Sequence, residues 1–220
     1  MTDRSEPDNK HGELEHELAY VEREFEHVEA LLGHLRLQWL LRHFNSRLVW
    51  AGYVAVAGFV TIALLAVLTL ITGSPFVFPS LGPTAYLFFF TPMAAASSPR
   101  NAICGHAIGL VCGYAAFVLV GVSATPMVMH AGMHDPKILA AALSLAATGA
   151  LMVLFKVSHP PAGATTLIVS LGIISRPKDL VIIEIAVVLL AVQALAINRL
   201  AGVPFPLWQG RKPTGEGRRI

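Results

Sequence analysis

Two hydrophobic stretches of this chain each run into a Pro/Gly break followed by a short apolar segment. The breaks are Phe78-Pro79-Ser80-Leu81-Gly82-Pro83-Thr84-Ala85 and Ser158-His159-Pro160-Pro161-Ala162-Gly163-Ala164-Thr165. Interrupted backbone inside lipid leaves N–H and C=O groups unpaired at several kcal/mol each, so it persists only where protein buries it or where it lines a wet cavity. Matched interruptions in two halves of a membrane chain are the best sequence-level pointer to a transporter's substrate site.

The lipid setting follows from the distribution of charge. Apolar residues make up 55% of the 220 and charged residues 14%, and the charges crowd toward the two ends. A stretch of about 20 apolar residues crosses the hydrocarbon core. Trp50–Ile71 and Ile138–Phe155 satisfy this without a charged residue, Ile103–Val122 qualifies with His106 inside it, and Leu180–Ile197 carries Glu184. The first span follows 49 residues of charged, Glu-rich sequence, unlike a signal or transit peptide. A bacterial inner membrane is the expected address. A net charge of +2, with the Arg residues at span ends, predicts no nucleic-acid partner.

The membrane part, residues 48–200, reads as two copies of span, broken half-helix, span, covering about 48–122 and 136–200. Pro79-Ser80-Leu81-Gly82-Pro83-Thr84 falls on Pro160-Pro161-Ala162-Gly163-Ala164-Thr165 at a shift of 81, and Pro99-Arg100-Asn101 falls on Pro177-Lys178-Asp179 at a shift of 78. Lys and Arg near span ends place both termini in the cytoplasm and the number of crossings at an even value. Four and six both qualify. Six fits the charges better and makes the copies inverted repeats, an all-α fold of six membrane segments. Before them, residues 1–12 read as disordered and 13–47 as an amphipathic helix. Its apolar ladder Leu14, Leu18, Val21, Phe25, Val28, Leu32, Leu35, Trp39 has coiled-coil spacing. Glu residues flank that ladder, so docking on a neighbouring subunit or on the chain's own membrane core competes with self-pairing. Residues 201–220 read as a basic cytoplasmic tail.

Pro83 and Pro161 suit a first helical turn, with short helices predicted to run to about Ala95 and Ile174. Such helices are too short to cross, so their N-termini lie within the membrane, offering free N–H groups and partial positive charge to an anion. The substrate-binding candidates are Ser80, Leu81, Gly82, Thr84, Ala85, His159, Ala162, Gly163, Ala164 and Thr165. The alternative is a structural kink satisfied by neighbouring helices. His159, His106 and Glu184 are proton-coupling candidates, because ionisable groups inside a membrane are functional by default. The shift of 78 sets His106 opposite Glu184. Gly105, Gly109 and Gly113 share one helix face and predict close helix packing, not chemistry. Cys104 and Cys112 lie about 12 Å apart on one helix, too far for a disulfide. His130 and His134, in a Met-containing loop, have ligand-like spacing with no third ligand, so no metal is expected; nor is any cofactor, and no catalytic motif is present.

The His159-Pro160-Pro161-Ala162-Gly163-Ala164 stretch, with Phe78-Pro79-Ser80-Leu81-Gly82-Pro83-Thr84-Ala85 and Ser98-Pro99-Arg100-Asn101, resembles the HPP family of integral membrane proteins over about residues 45–200. The resemblance implies nitrite transport, a role associated with plastid and cyanobacterial relatives. Some members add a pair of CBS regulatory modules, which the roughly 20 residues after the last span would not accommodate. The expectation is a homo-oligomeric transporter of a small monovalent anion, nitrite first. An uncoupled anion channel and a non-transporting scaffold or sensor are the rivals.

Overall fold

The computed structural model describes residues 37–122 and 135–209. Most of the apolar ladder, together with His130 and His134, lies outside these residues. Every helix or span described is helical: α1 Leu37–His43, α2 Ser46–Thr72, α3 Leu81–Phe90, a 3₁₀ turn at Ala95–Ser97, α4 Pro99–Leu119, α5 Asp135–Leu154, α6 Pro161–Ser170 and α7 Pro177–Leu200. Four of these are long and apolar enough to cross a membrane, namely α2, α4, α5 from Pro136, and α7. The order long, short, long therefore occurs twice. Both half-helices have 10 residues, about 15 Å of rise. They stop at Phe90 and Ser170, earlier than Ala95 and Ile174. In the second copy Gly172 ends the helix with φ +75°, and the amides of Gly172 and Ile173 return to the carbonyls of Val169 and Ile168.

The chain divides into two compact units, Met1–Trp50 and Ala51–Ile220. In the first, His43 stacks on Trp39, and the Asn45 side chain accepts from the amides of Arg47 and Leu48 to start α2. In the second, α4 is the hub: it packs on α6, α5 and α7, and α3 lies against α7. The glycine stripe of α4 permits this. A Cβ on Gly109 would stand 2.8 Å from both the Ala162 carbonyl and the Thr166 hydroxyl, and one on Gly113 would stand 2.7 Å from the Thr166 carbonyl. A Cβ on Gly105 would meet that of His159 at 2.8 Å. Close approach driven by small residues is how helices associate where lipid supplies no hydrophobic gradient. Large apolar side chains such as Phe59, Leu70, Val153 and Val181 point outward, as lipid-facing residues do.

Three contacts gather the helix ends. Tyr53, early in α2, donates to the Asn198 side chain at the end of α7, at 2.8 Å. The Arg100 amide, at the start of α4, donates to the Trp208 carbonyl beyond α7, at 2.9 Å. The Arg100 guanidinium donates to the Phe155 and Lys156 carbonyls at the end of α5. Lys156 there takes φ +54°, closing α5 with hydrogen bonds from the Lys156 amide to the Val153 carbonyl and from the Val157 amide to the Met152 carbonyl. Residues 203–208 fell within the tail by sequence, yet Val203 and Phe205 are buried, Phe205 edge-on to Phe88 of α3 at 5.6 Å.

Candidate functional site

Each Pro/Gly break swings a half-helix inward so that its first turn meets α4. Ser80, Thr84, His106, His159 and Thr165 are all fully buried and joined by hydrogen bonds. The Ser80 and Thr165 hydroxyls, one from each break, lie 2.6 Å apart. The Thr84 hydroxyl sits 3.0 Å from His106 Nε2, 3.1 Å from His159 Nε2 and 3.0 Å from the Ser80 carbonyl. His106 Nδ1 contacts the Thr165 hydroxyl at 2.7 Å, and His159 Nδ1 contacts the Ala96 carbonyl at 2.7 Å. The two imidazole centroids are 5.0 Å apart. Phe78 meets His106 edge-on and Phe88 tilts against His159, giving the cluster aromatic walls. Burial removes competing water, so each of these bonds is stronger than at a surface and each unpaired group would be more costly.

The candidates separate on this geometry. Ser80, Thr84, His159 and Thr165 form the cluster, with Leu81, Ala85 and Ala162 buried around it. Gly82 is exposed, with open space where a Cβ would point, and Gly163 faces Leu145 of α5. His106 belongs to the centre, bridging both breaks. Glu184 does not join it: both of its oxygens are buried without a hydrogen-bond partner. The matched position that paired His106 with Glu184 in sequence is thus not a contact. The amides expected to be free are partly in use, since Leu81 donates to Phe78, Ala162 to His159 and Gly163 to Pro160. The cluster's polar capacity therefore resides in hydroxyls and imidazoles more than in main-chain N–H groups.

Behind the cluster lies a supporting layer in which the sequence pointed to the Thr166 hydroxyl but not to Thr148 or the role of Asn101. Thr166 donates to the Gly109 carbonyl at 3.1 Å and pairs with Thr148 of α5 at 2.9 Å. Asn101 donates to the Ala95 and Ser158 carbonyls, tying the start of α4 to the residue before His159. The signal for Asn101 was its place after Pro99-Arg100 in the repeated motif; Thr148 had none. Among the described residues no three His, Cys, Asp or Glu side chains converge as a metal site would require. Cys104 and Cys112 are both free thiols.

Residues 42–206 match the family model described as "HPP, transmembrane region". No curated protein and no solved structure matches the chain.

Proposed function

Starting from the chain's membership of the HPP family of multi-pass membrane proteins, which the match over residues 42–206 establishes, we propose that it transports a small monovalent anion, nitrite first, with proton coupling. The observation that carries this reading is the 2.6 Å contact between Ser80 and Thr165, which brings the two breaks to one buried point together with two histidines. Discontinuous helices meeting around ionisable groups inside a membrane are the arrangement transporters use for midplane sites. Hydroxyls of Ser80, Thr84 and Thr165 are neutral donors suited to an anion's oxygens, and His159 and His106 add N–H donors.

Six crossings as an inverted repeat are part of the proposal. The gathered helix ends support it: α2 leaves and α7 returns at one face, where α4 starts and α5 ends. Each break together with its half-helix then makes one crossing, α3 running toward that face and α6 away from it. The start of α2 and the end of α7 lie on that side, assigned to the cytoplasm by the Arg and Lys residues at the span ends.

The test is flux into liposomes holding the purified full chain, across nitrite, nitrate, formate and bicarbonate, with and without a proton gradient. Nitrite uptake that rises when the opposite compartment is more alkaline is the expected result. Flux indifferent to the gradient would replace coupling with an uncoupled channel, and no anion-dependent flux would sink the transport reading.

A further inference from the structure

Proton positions in the buried cluster follow from its partners. The Ala96 carbonyl only accepts, so His159 Nδ1 carries a hydrogen. Nε2 of a neutral His159 is then an acceptor, and the Thr84 hydroxyl, which reaches both it at 3.1 Å and the Ser80 carbonyl at 3.0 Å, gives it the hydrogen, because that carbonyl already has the Thr84 amide as a donor. Thr84 has only one hydrogen, so His106 Nε2 must donate to the Thr84 oxygen. His106 Nδ1 becomes an acceptor for the Thr165 hydroxyl, and the Ser80 hydroxyl donates to Thr165. The result is a one-way chain from Ser80 through Thr165, His106, Thr84 and His159 to Ala96. The other neutral tautomer of His106 would point lone pairs of Thr84 and His159 at each other, a buried unsatisfied acceptor of the kind that costs about 1–3 kcal/mol.

We infer that this cluster is a one-proton switch in which His159 takes the proton and the Thr84 hydroxyl turns to receive it. A proton added at His159 Nε2 converts that atom to a donor toward the Thr84 oxygen. The bond from Thr84 O–H to Nε2 breaks, and the hydroxyl rotates to the Ser80 carbonyl, 3.0 Å away. That carbonyl already faces the Thr84 amide at 3.4 Å and has a lone pair to spare. Every group stays paired, and the cluster gains one positive charge. Protonating His106 instead would reverse the hydroxyls of both Thr165 and Ser80, leaving the Ser80 hydrogen with no acceptor among the cluster's contacts. The two histidines are therefore inequivalent: His159 is the proton site and His106 the neutral bridge.

Among the described residues, the charged and titratable groups around His159 leave its added charge without a counter-ion. From α4 come His106 and, at its first turn, Arg100, which is engaged with the Phe155 and Lys156 carbonyls. From α3 come only Thr84 and Phe88, and from α5 the thioether of Met152 lies near the Gly105–His159 contact. On α7, Asp179 pairs with Arg176, and Glu184 bonds to nothing. A single monovalent anion would balance the imidazolium; this clause rests on the transport reading, whereas the switch itself does not.

The test is ¹⁵N-histidine NMR of the full chain in lipid nanodiscs across a pH series, with signals assigned by H159Q and H106Q. Should one variant fail to fold, replacing His11, His16, His27, His34, His43, His130 and His134 with Gln leaves only the two signals, and the variant that folds assigns both. At high pH the Nδ1–H tautomer is expected for His159 and the Nε2–H tautomer for His106, and on acidification only His159 becomes doubly protonated. Sodium nitrite at ten times its measured Kd should raise the His159 midpoint by about 1 pH unit if the anion binds only the charged form. His106 charging first, or His159 holding its neutral proton on Nε2, overturns the switch whatever the flux. Correct tautomers with no nitrite-dependent shift overturn the anion pairing and leave the switch standing.

Discussion

Gly109→Ala tests whether the glycine stripe of α4 fixes the site. The added Cβ would lie 2.8 Å from both the Ala162 carbonyl and the Thr166 hydroxyl, and real Cβ atoms do not approach so closely. One obstacle is main chain, so the two helices have to shift apart. Overpacking of this kind costs about 1–3 kcal/mol. The displacement also strains the bond from Thr166 to the Gly109 carbonyl, now 3.1 Å, worth about 1 kcal/mol. Against these stands a gain of about 1 kcal/mol from replacing a mid-helix glycine with alanine. The net expectation is a loss of about 1–3 kcal/mol. Gly149→Ala on α5 is the control, because its Cβ meets nothing within 4 Å, and it should gain up to about 1 kcal/mol from helix propensity alone. Unfolding of both variants in mixed micelles, followed by tryptophan fluorescence and circular dichroism, gives the comparison. Equal or greater stability of Gly109→Ala relative to Gly149→Ala would refute the claim that the stripe sets the distance between α4 and α6.

Thr165→Val should remove nitrite uptake and lower stability by about 1–3 kcal/mol, since it leaves His106 Nδ1 buried without its 2.7 Å partner; Thr165→Ser should retain both, and an active Thr165→Val would count against the hydroxyl's role. Glu184→Gln is expected to leave the pH dependence of nitrite flux unchanged, because the carboxylate bonds to neither histidine; a flux that stops responding to pH would move proton coupling to α7. Lys156→Gly should raise the unfolding free energy by about 1 kcal/mol, since glycine adopts the left-handed φ of +54° without the Cβ penalty; a fall of that size would show that the Lys156 side chain, not the turn, holds the end of α5. Gly82→Ala should leave uptake unchanged and, like Gly149→Ala, cost no stability, as open space meets its Cβ. Loss of nitrite uptake in that variant would bring α3's exposed edge into the binding surface.

The membrane helices were legible because lipid imposes a uniform demand: about 20 uncharged residues write a span plainly into the sequence. The two breaks were legible for the complementary reason, since Pro and Gly in such a setting have few uses. What lay hidden is relational. His106 sits in an ordinary-looking span, and only the inward turn of both half-helices reveals it as the bridge between Thr84 and Thr165. Matching positions by repeat pointed it at Glu184, because a linear shift aligns depth in a helix but not the face that a residue occupies. The half-helices ended sooner than their apolar runs, as Gly172 in the second copy can leave the right-handed helix where its neighbours cannot. The Val203–Trp208 segment looked like tail because its burial depends on Phe88 and Arg100, far away in sequence.

The near backbone contact of α4 with α6 has a mechanical consequence. Helices meshed through bare glycine cannot slide without collision, so the two form a stiff post, and Asn101 and Arg100 pin its base to the turn ahead of His159. Helix α3 grips that post chiefly through hydroxyls, at Ser80 and Thr84. The join on the α3 side of the cluster is thus made by side-chain hydrogen bonds, where the α4–α6 side is made by meshed backbone.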